Sequence, residues 1–282
     1  MLVQYLITIK LVICHGVKSG SKLCSITYHF VARMCSVSRM GGNPPMSDYI
    51  IHNLDPIALI GGGELGARDL GLVMDRVTML VAADGGAAAA LQAEIIPDAV
   101  IGDFDSLSAS DAAQIPQNRL HRVSEQDSTD FDKALRAIDS PLILAIGFLG
   151  ARVDHQLAAF NTLVRHPDRP CILIGPHEVI VHAPPRLELA LSAGAVVSLF
   201  PLAPVTGRSA GLEWAIDGLA FAPDSRIGTS NRATGPISLD MDGPGMLLIV
   251  PRAALDMVIR GLIPRDRSGA RAPLPVRWPA RA

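Results

Sequence analysis

Short apolar runs that end in glycine or aspartate recur between residues 57 and 174, and they constrain the fold more than any other feature of this sequence. Each run is typical of a short buried strand, and helical patterns such as the alanine-rich one at 87–93 separate them. Strands that alternate with helices predict a parallel sheet with helices on both faces. The predicted strands cover residues 57–61, 77–83, 99–101, 120–123, 142–146 and 171–174.

The pattern changes near residue 175, where short apolar runs are split by Gly, Pro and Asp without intervening helices. The predicted strands here cover residues 178–182, 187–191, 196–199, 219–221, 237–241 and 246–250, and residues 228–231 are predicted to form a polar loop. That spacing predicts an antiparallel β-sandwich or a barrel-like domain. The predicted fold is therefore α/β, with a parallel-sheet N-terminal domain followed by a smaller all-β sandwich domain. We expect an α/β domain at 55–175, a β-sandwich domain at 178–262 and a flexible, Arg- and Pro-rich tail at 264–282.

Residues 1–50 differ from the rest of the chain. An apolar stretch at 2–14 is interrupted by Lys10, no basic region precedes it, and no small-residue cleavage site follows it. A breaker cluster at 41–45 then precedes Met46, which would be a natural first residue. The segment is either a weak targeting signal or translated upstream sequence outside the working protein. We favour the second interpretation and expect the segment to pack poorly or not at all.

Composition excludes some classes of protein. A net charge of -2 and 4% aromatic residues argue against a nucleic-acid-binding surface. Three of the four cysteines precede residue 36, no metal-type or disulfide-type spacing occurs, and a reducing, cytoplasmic location is expected. No run approaches the ~18 apolar residues of a membrane-spanning helix, so no membrane association is expected.

Two acidic residues, Asp103 and Asp105, directly follow the predicted strand at 99–101. Alternate side chains of extended backbone share a face, so these carboxylates can converge. Two carboxylates repel each other by about 1 to 4 kcal/mol at ~4 Å, and a divalent cation would remove that repulsion. An ordinary turn is the alternative interpretation, but it does not explain two acids at a strand end, where open α/β sheets bind ligands. The pair predicts a metal site.

A second polar cluster, QDSTDFDK at 126–133, opens a helical pattern. Its acids lie in the first helical turn, where they could face a ligand together with the first cluster. Thr129 and Asp132 could equally form a capping box, with the acids stabilising the helix N-terminus.

Five motifs in a fixed order resemble the thiamine pyrophosphokinase family. They are ADGGA at 83–87, GDFDS at 102–106, DSTDFDKAL at 127–135, GARVDH at 150–155 and GTSN at 228–231. The resemblance covers roughly residues 55–262, and five motifs in order are far more specific than one. It implies an α/β domain, a β-sandwich domain and a homodimer. It also implies that ATP, with Mg²⁺ as cofactor, converts thiamine to thiamine diphosphate and releases AMP.

The resemblance assigns site residues by position. The implied catalytic residues are Asp103, Asp105, Asp127, Asp130, Lys133, Arg152 and Asp154, and the implied metal-binding residues are Asp103, Asp105, Asp130 and Asp154. The implied ATP- and thiamine-binding residues are Asp84, Gly85, Gly86, Ser106, Gln126, Thr129, His155, Trp214, Thr229, Ser230 and Asn231.

Several of these roles are more specific. Lys133 and Arg152 would contact the triphosphate, which charge complementarity also favours. Asp127 could accept the proton of the thiamine hydroxyl, a role that only geometry can decide. Trp214 would ordinarily be a core or edge aromatic, whereas the resemblance places it at thiamine, in a pocket formed between two subunits.

Two other classes of function remain open. The DFDS motif at 103–106 also resembles the start of haloacid-dehalogenase-like, Mg-dependent phosphatases, although theirs is expected after the first strand and this one follows the third. A non-catalytic nucleotide-binding sensor would keep the glycines, but it would not require four acids together with Lys133 and Arg152.

Overall fold

The chain was analysed as a computed structural model that describes residues 7–10, 27–30, 49–150, 152–263 and 276–280. It divides into two compact units, Met1–Pro45 and Met46–Ala282. In the first unit, strand β1 (Ile7–Lys10) pairs antiparallel with β2 (Thr27–Phe30). The other residues of the predicted extension up to 48 lie outside the described residues, so the expectation that it packs poorly stays a prediction.

The second unit contains a mixed sheet with helices and a separate pair of parallel strands, β3 and β8. Its strands, in chain order, are β3 (Ile51–His52), β4 (Ile57–Ile60), β5 (Leu80–Ala83), β6 (Ala99–Gly102), β7 (Leu120–Arg122), β8 (Ile138–Asp139), β9 (Ile143–Ile146), β10 (Cys171–Ile174), β11 (Glu178–His182), β12 (Arg186–Leu189), β13 (Val196–Pro201), β14 (Gly207–Leu212), β15 (Thr229–Met241) and β16 (Met246–Pro251). Its α-helices are α1 (Asp69–Met74), α2 (Gly86–Gln92), α3 (Ala109–Ala112), α4 (Asp130–Ala137), α5 (Val153–Arg165) and α6 (Leu255–Leu262).

One continuous sheet runs through both predicted domains. Its parallel part has the order β7-β6-β5-β4-β9-β10, and β10 then pairs antiparallel with β11. From β11 the sheet continues as β16-β13-β15-β12, and β14 also pairs with β15. The change near residue 175 is therefore a change of strand direction within one sheet, because the turn between β10 and β11 is a hairpin.

Helices cover both faces of the parallel strands because alternate residues of each strand point to opposite sides. Ala58 and Ile60 of β4 belong to one apolar cluster with residues of α1 and α2. Ile57 and Leu59 belong to another cluster with residues of α4 and α5. All four β4 residues are fully buried, as expected for a central parallel strand.

Several elements differ from the prediction. The polar stretch predicted as a loop at 228–231 begins strand β15, with Asn231 opposite Val197 of β13. The predicted strand at 219–221 forms only an isolated bridge between Val205 and Phe221. Helices α1 and α6 and strand β14 were not predicted, and β14 is rich in Gly, Ser and Arg, so it lacks an apolar run.

The predicted flexible tail is packed at residues 276–280. Trp278 Nε1 donates to the Ala183 carbonyl at 3.0 Å, and Arg277 donates to the Pro141 carbonyl at 3.0 Å. The rest of the tail lies outside the described residues. Within the part of the chain that the structure describes, no helix has the length and apolar character needed to cross a membrane.

Candidate active site

The site lies between the neighbouring parallel strands β4 and β9. The chain continues from β4 to β5, β6 and β7 on one side and from β9 to β10 on the other, and open α/β sheets form ligand crevices where the strand order reverses in this way. The loops after these strands approach closely, since Gly63 N–H donates to the Gly147 carbonyl at 2.8 Å. A Cβ on Gly61 would lie 2.6 Å from the same carbonyl oxygen, so only glycine fits there.

A cavity of about 690 Å³ opens at this edge. Its lining combines glycine backbone, acids, cations and two phenylalanines. The lining residues are Gly62, Gly63, Ala83, Asp84, Gly85, Asp103, Asp105, Ser106, Gln126, Ser128, Thr129, Asp130, Phe131, Lys133, Gly147, Phe148, Leu149, Gly150, Arg152, His155 and Ala159. The volume is in the range of small-molecule sites.

Three carboxylates converge in this cavity. Asp84 follows β5, whereas Asp103 and Asp105 follow β6, and one oxygen from each lies within 4.8 Å of the others. Asp103 and Asp105 converge as predicted, but the backbone between them is not extended, because Phe104 has a φ of 64°, in the left-handed region. Asp84 was predicted to bind ligand but not metal, and the pairing of β5 with β6 brings it to the other two.

The two oxygens of Asp103 have different environments. Oδ2 accepts from Gln126 Nε2 at 2.8 Å and from Lys133 Nζ at 3.2 Å. Oδ1 is buried and has no hydrogen-bond partner among the described residues. The hydrogen bond from Gln126, followed by the bond and charge of Lys133, lowers the pKa of Asp103, so this carboxylate is ionised and one oxygen is free for a ligand.

Asp84 is the buried member of the group. Only 1% of the residue is exposed, and burial raises the pKa of its carboxyl group. Oδ2 accepts from Ser106 N–H at 3.2 Å, while Oδ1 is buried without a partner among the described residues. Its φ of 40° lies in the left-handed region, which costs conformational energy for a residue other than glycine. Such backbone strain clusters at functional sites.

Lys133 links Asp130 to Asp103, because its Nζ donates to both carboxylates. Its Nζ lies 3.0 Å from Asp130 Oδ1, and only 3% of its side chain is exposed. Burial opposes the charged form, but the hydrogen bonds to Asp130 and Asp103 outweigh it and raise the pKa of Lys133. Asp130, predicted as a metal ligand, lines the cavity as the partner of Lys133.

Arg152 and Asp154 form an exposed pair at the start of α5. Arg152 Nε donates to Asp154 Oδ1 at 3.1 Å, and this hydrogen bond lowers the pKa of Asp154. Arg152 and His155 line the cavity, but Asp154 does not. The structure thus places the cation of this motif at the cavity and its predicted metal-binding acid outside.

The polar cluster at 126–133 caps α4 and reaches the cavity, but the predicted capping box is only half formed, because the Asp132 carboxylate bonds Arg136 and His166. Thr129 is the N-cap of α4, and its Oγ1 accepts from Asp132 N–H at 3.2 Å. Gln126 and Thr129 also line the cavity, so capping and ligand contact are compatible. Asp127 is exposed and lies outside the cavity lining.

The predicted thiamine contacts of the C-terminal strands do not line this cavity. Asn231 is buried, and its side chain bonds both to Trp214 N–H, at 3.2 Å, and to the Trp214 carbonyl, at 2.6 Å. This pair of bonds fixes the backbone of the loop at Trp214. The Trp214 residue itself is 55% exposed. Thr229 Oγ1 is buried without a partner among the described residues, and Ser230 is exposed.

Sequence analysis missed an aromatic pair in the cavity wall. The Phe131 and Phe148 rings lie 4.4 Å apart, centroid to centroid, and both residues line the cavity. Phe148 directly follows the strand-end glycine Gly147, which was the available signal. Phe131 falls between two acids, and only the direction of α4 shows which way its ring points.

The acid group suits a hard divalent cation. Such ions prefer carboxylate oxygens, and two oxygens of this group, on Asp84 and Asp103, are buried and have no hydrogen-bond partner in the part of the chain that the structure describes. Buried polar atoms nearly always have a hydrogen-bond partner, and a bound ion can take the place of that partner. Asp84, Asp103 and Asp105 are therefore the residues that could hold a divalent cation.

Comparisons with known proteins point to one family. The profile of the family described as "Thiamin pyrophosphokinase, catalytic domain" matches residues 70–173. Thiamine pyrophosphokinase 1 of Arabidopsis thaliana is 28% identical over 195 residues, which is 57% of this chain and 73% of the relative. Thiamine pyrophosphokinase of Bacillus subtilis (strain 168) is 33% identical over 116 residues, 39% of this chain and 54% of the relative.

A solved structure supports the fold. Thiamin pyrophosphokinase from Geobacillus thermodenitrificans superposes with a TM-score of 0.58 at 24% identity. The match covers 70% of this chain and 96% of that one, so the two proteins share the architecture of mixed sheet and helices.

Proposed function

The chain belongs to the thiamin pyrophosphokinase family, and from this premise we propose that it transfers the pyrophosphoryl group of ATP to thiamine, giving thiamine diphosphate and AMP. The strand-end cavity would bind ATP and carry out the transfer. The observation that carries this proposal is the convergence of Asp84, Asp103 and Asp105, two of which offer a buried oxygen without a partner.

The cavity has groups suited to a polyphosphate. Gly63 and Gly147 let the loops after β4 and β9 pack against each other, because a Cβ on either would lie 2.6 Å or less from a backbone oxygen, and both residues line the cavity. Lys133 and Arg152 provide positive charge, which can neutralise the charge spread over the phosphoryl oxygens during transfer. Mg²⁺, held by the three acids, would supply further charge neutralisation on the phosphates.

The chain's own residues position the reacting groups. Gln126 and Lys133 orient the Asp103 carboxylate through Oδ2, and this leaves Oδ1 directed away from them. The hydroxyl of thiamine would attack the β-phosphorus, and AMP would leave. Asp127 is adjacent to the lining residues Gln126 and Ser128 and is exposed, so it remains our candidate for accepting the hydroxyl proton.

The thiamine rings require a surface that the strand-end cavity only partly offers. Trp214 is exposed, and Asn231 fixes its loop, so the indole can serve as a preorganised face for a cationic thiazolium ring. Trp214, Thr229, Ser230 and Asn231 lie outside the cavity lining of their own chain. We therefore propose a homodimer, located in the cytoplasm, in which the β strands of one subunit complete the cavity of the other. In this arrangement the α/β region at 55–175 binds ATP and the β-rich region at 178–262 binds thiamine.

Product analysis tests the proposal. Purified protein is incubated with ATP, Mg²⁺ and thiamine, and thiamine diphosphate and AMP are expected in equal amounts. Inorganic phosphate with a phospho-aspartate would indicate a phosphatase, and ATP binding without turnover would indicate a sensor. Either of these results would overturn the proposal.

A further inference from the structure

Gln126 lies on a loop that side chains, rather than backbone bonds, hold in place. Among the described residues, the backbone of residues 124–128 has no hydrogen-bond partner outside the loop. On one side, Gln126 Nε2 donates to Asp103 Oδ2. The position of Gln126 therefore depends on whatever fixes its two neighbours along the chain.

Arg136 of α4 bonds the loop at two further residues, Glu125 and Ser128. Its Nη2 donates to Glu125 Oε2 at 2.9 Å and to Glu125 Oε1 at 3.1 Å. The same nitrogen donates to Ser128 Oγ at 3.0 Å. One guanidinium group thus clamps the residues on either side of Gln126 and Asp127, and its bond to Glu125 lowers the pKa of that carboxyl.

The guanidinium is itself held by a buried acid. Arg136 Nε donates to Asp132 Oδ2 at 2.9 Å, and only 3% of the Asp132 side chain is exposed. Asp132 also pairs through Oδ1 with His166, at 2.8 Å, and with Arg165, at 3.4 Å. Because two residues at the end of α5 fix Asp132 from the other side, the orientation of Arg136 is determined by the packing of α4 against α5.

We propose that Arg136 is a positioning residue that holds Gln126 against Asp103. It acts through the loop at 124–128 and does not line the cavity itself. The planar fork suits this role, because one side chain bonds Asp132 through Nε and the loop through Nη2. The kinetic part of this inference rests on the proposed function, whereas the structural part does not.

Proteolysis of the full chain tests whether Arg136 holds the loop at 124–128, and it requires no measurement of enzymatic activity. Endoproteinase Glu-C cleaves after glutamate, and Glu125 is held by Arg136. In Arg136→Gln, cleavage between Glu125 and Gln126 should rise by about 10-fold or more relative to cleavage after exposed Glu213. Arg165→Gln removes the longer contact to Asp132, at 3.4 Å, and leaves the 2.8 Å contact with His166 and the Arg136 bonds in place. This variant should leave the ratio unchanged. Equal cleavage ratios in Arg136→Gln and wild type would overturn the inference.

A double-mutant cycle tests the kinetic part. Arg136→Gln should lower kcat/KM for thiamine diphosphate formation by about 10- to 100-fold, since small misplacements near reacting groups have effects of this size. Arg136→Lys, which keeps the charge without the fork, should recover only part of the loss. In a Gln126→Ala background, Arg136→Gln should add less than about a twofold loss, because both changes remove the same interaction.

The two proposals fail in different ways. Losses that multiply in the double variant would mean that Arg136 acts independently of Gln126 and would overturn the inference. If the wild-type chain forms no thiamine diphosphate, the proposed function is wrong, and the Glu125 cleavage ratio alone decides whether Arg136 holds the loop.

Discussion

Lys133 Nζ lies 3.2 Å from Asp103 Oδ2, and this contact divides the Asp103 carboxylate into two oxygens with different tasks. The oxygen that faces Lys133 is fully engaged by the protein, whereas the other is buried and without a partner in the described part of the chain. A carboxylate held in this way stays ionised and offers a cation one fixed oxygen. The proposed metal site depends on this division.

Loss of the Asp103 charge should abolish turnover while the fold remains. We expect Asp103→Asn to lower kcat by about 100-fold or more, a typical effect of removing a group that stabilises charge in the transition state. Asp105→Asn should behave in the same way. Lys133 keeps Asp130 as a partner in the Asp103 variant, so circular dichroism should show an unchanged fold. Full activity in either variant would rule out the assignment.

Removal of the Asp84 charge should stabilise the metal-free protein. Its carboxylate is buried, with one oxygen unpaired, and asparagine tolerates the left-handed φ at this position. We expect the Tm of metal-free Asp84→Asn to rise by about 2–4 °C at pH 7, which corresponds to roughly 1 kcal/mol. Added Mg²⁺ should raise the Tm of the wild type but not that of the variant.

The stabilisation by Asp84→Asn should depend on pH in a defined direction. Burial raises the pKa of Asp84 in the folded state, so its ionised form destabilises the fold at pH values above that pKa. The penalty disappears as the pH falls below the ordinary value of 3.8, where the carboxyl is protonated in both states. The difference in Tm between variant and wild type should therefore shrink toward acid pH. The exposed Asp224→Asn serves as the control, and a difference that grows on acidification would contradict the account.

The parallel strands were predictable because a buried central strand has a continuous apolar run that ends at a glycine or an acid. Sequence predicted β4, β6 and β10 to within one residue on this basis. Strand β14 was not predicted, because it lies at the sheet margin and has only two buried residues, so it lacks a continuous apolar run. The start of β15 was not predicted as a strand, because its buried residue is the polar Asn231. The side-chain amide of Asn231 forms hydrogen bonds with the Trp214 backbone.

The candidate site was predictable only where residues near in sequence are also near in space. Asp103 and Asp105 lie two positions apart at one strand end, which made their convergence predictable, although the left-handed turn at Phe104 between them was not predicted. That Asp84 joins them depends on which strands are neighbours, and Asp154, although it pairs with the lining residue Arg152, lies outside the cavity lining. A single sequence contains neither relationship in its local pattern.

A chain that starts at Met46 should fold and work as well as the full chain. Residues 1–45 form a separate unit, and the family match begins only at residue 70. We expect the Tm and kcat/KM of the shortened protein to equal those of the full chain within error. A large decrease in either quantity would show that the N-terminal segment supports the working structure.

Trp214 should contribute to thiamine binding and not to ATP binding. A contact between the indole face and the thiazolium cation is worth roughly 0.5 to 2 kcal/mol, so Trp214→Ala should raise the KM for thiamine by about 2- to 30-fold. The KM for ATP should be nearly unchanged. If the site is shared between subunits, mixing Trp214→Ala with Asp103→Asn should restore some activity, because one hybrid site then has two intact halves. No rescue, with subunit exchange verified, would mean that each site is built within one chain.

The most direct test of the central claim follows the phosphorus atoms of ATP. The protein is given thiamine, Mg²⁺ and ATP labelled at the β-phosphorus, with Asp103→Asn as the matched control. The account predicts that the label appears in thiamine diphosphate, that unlabelled AMP forms in equal amount, and that the variant transfers almost none. Label that stays in ADP while inorganic phosphate is released, or equal transfer by the variant, would contradict it.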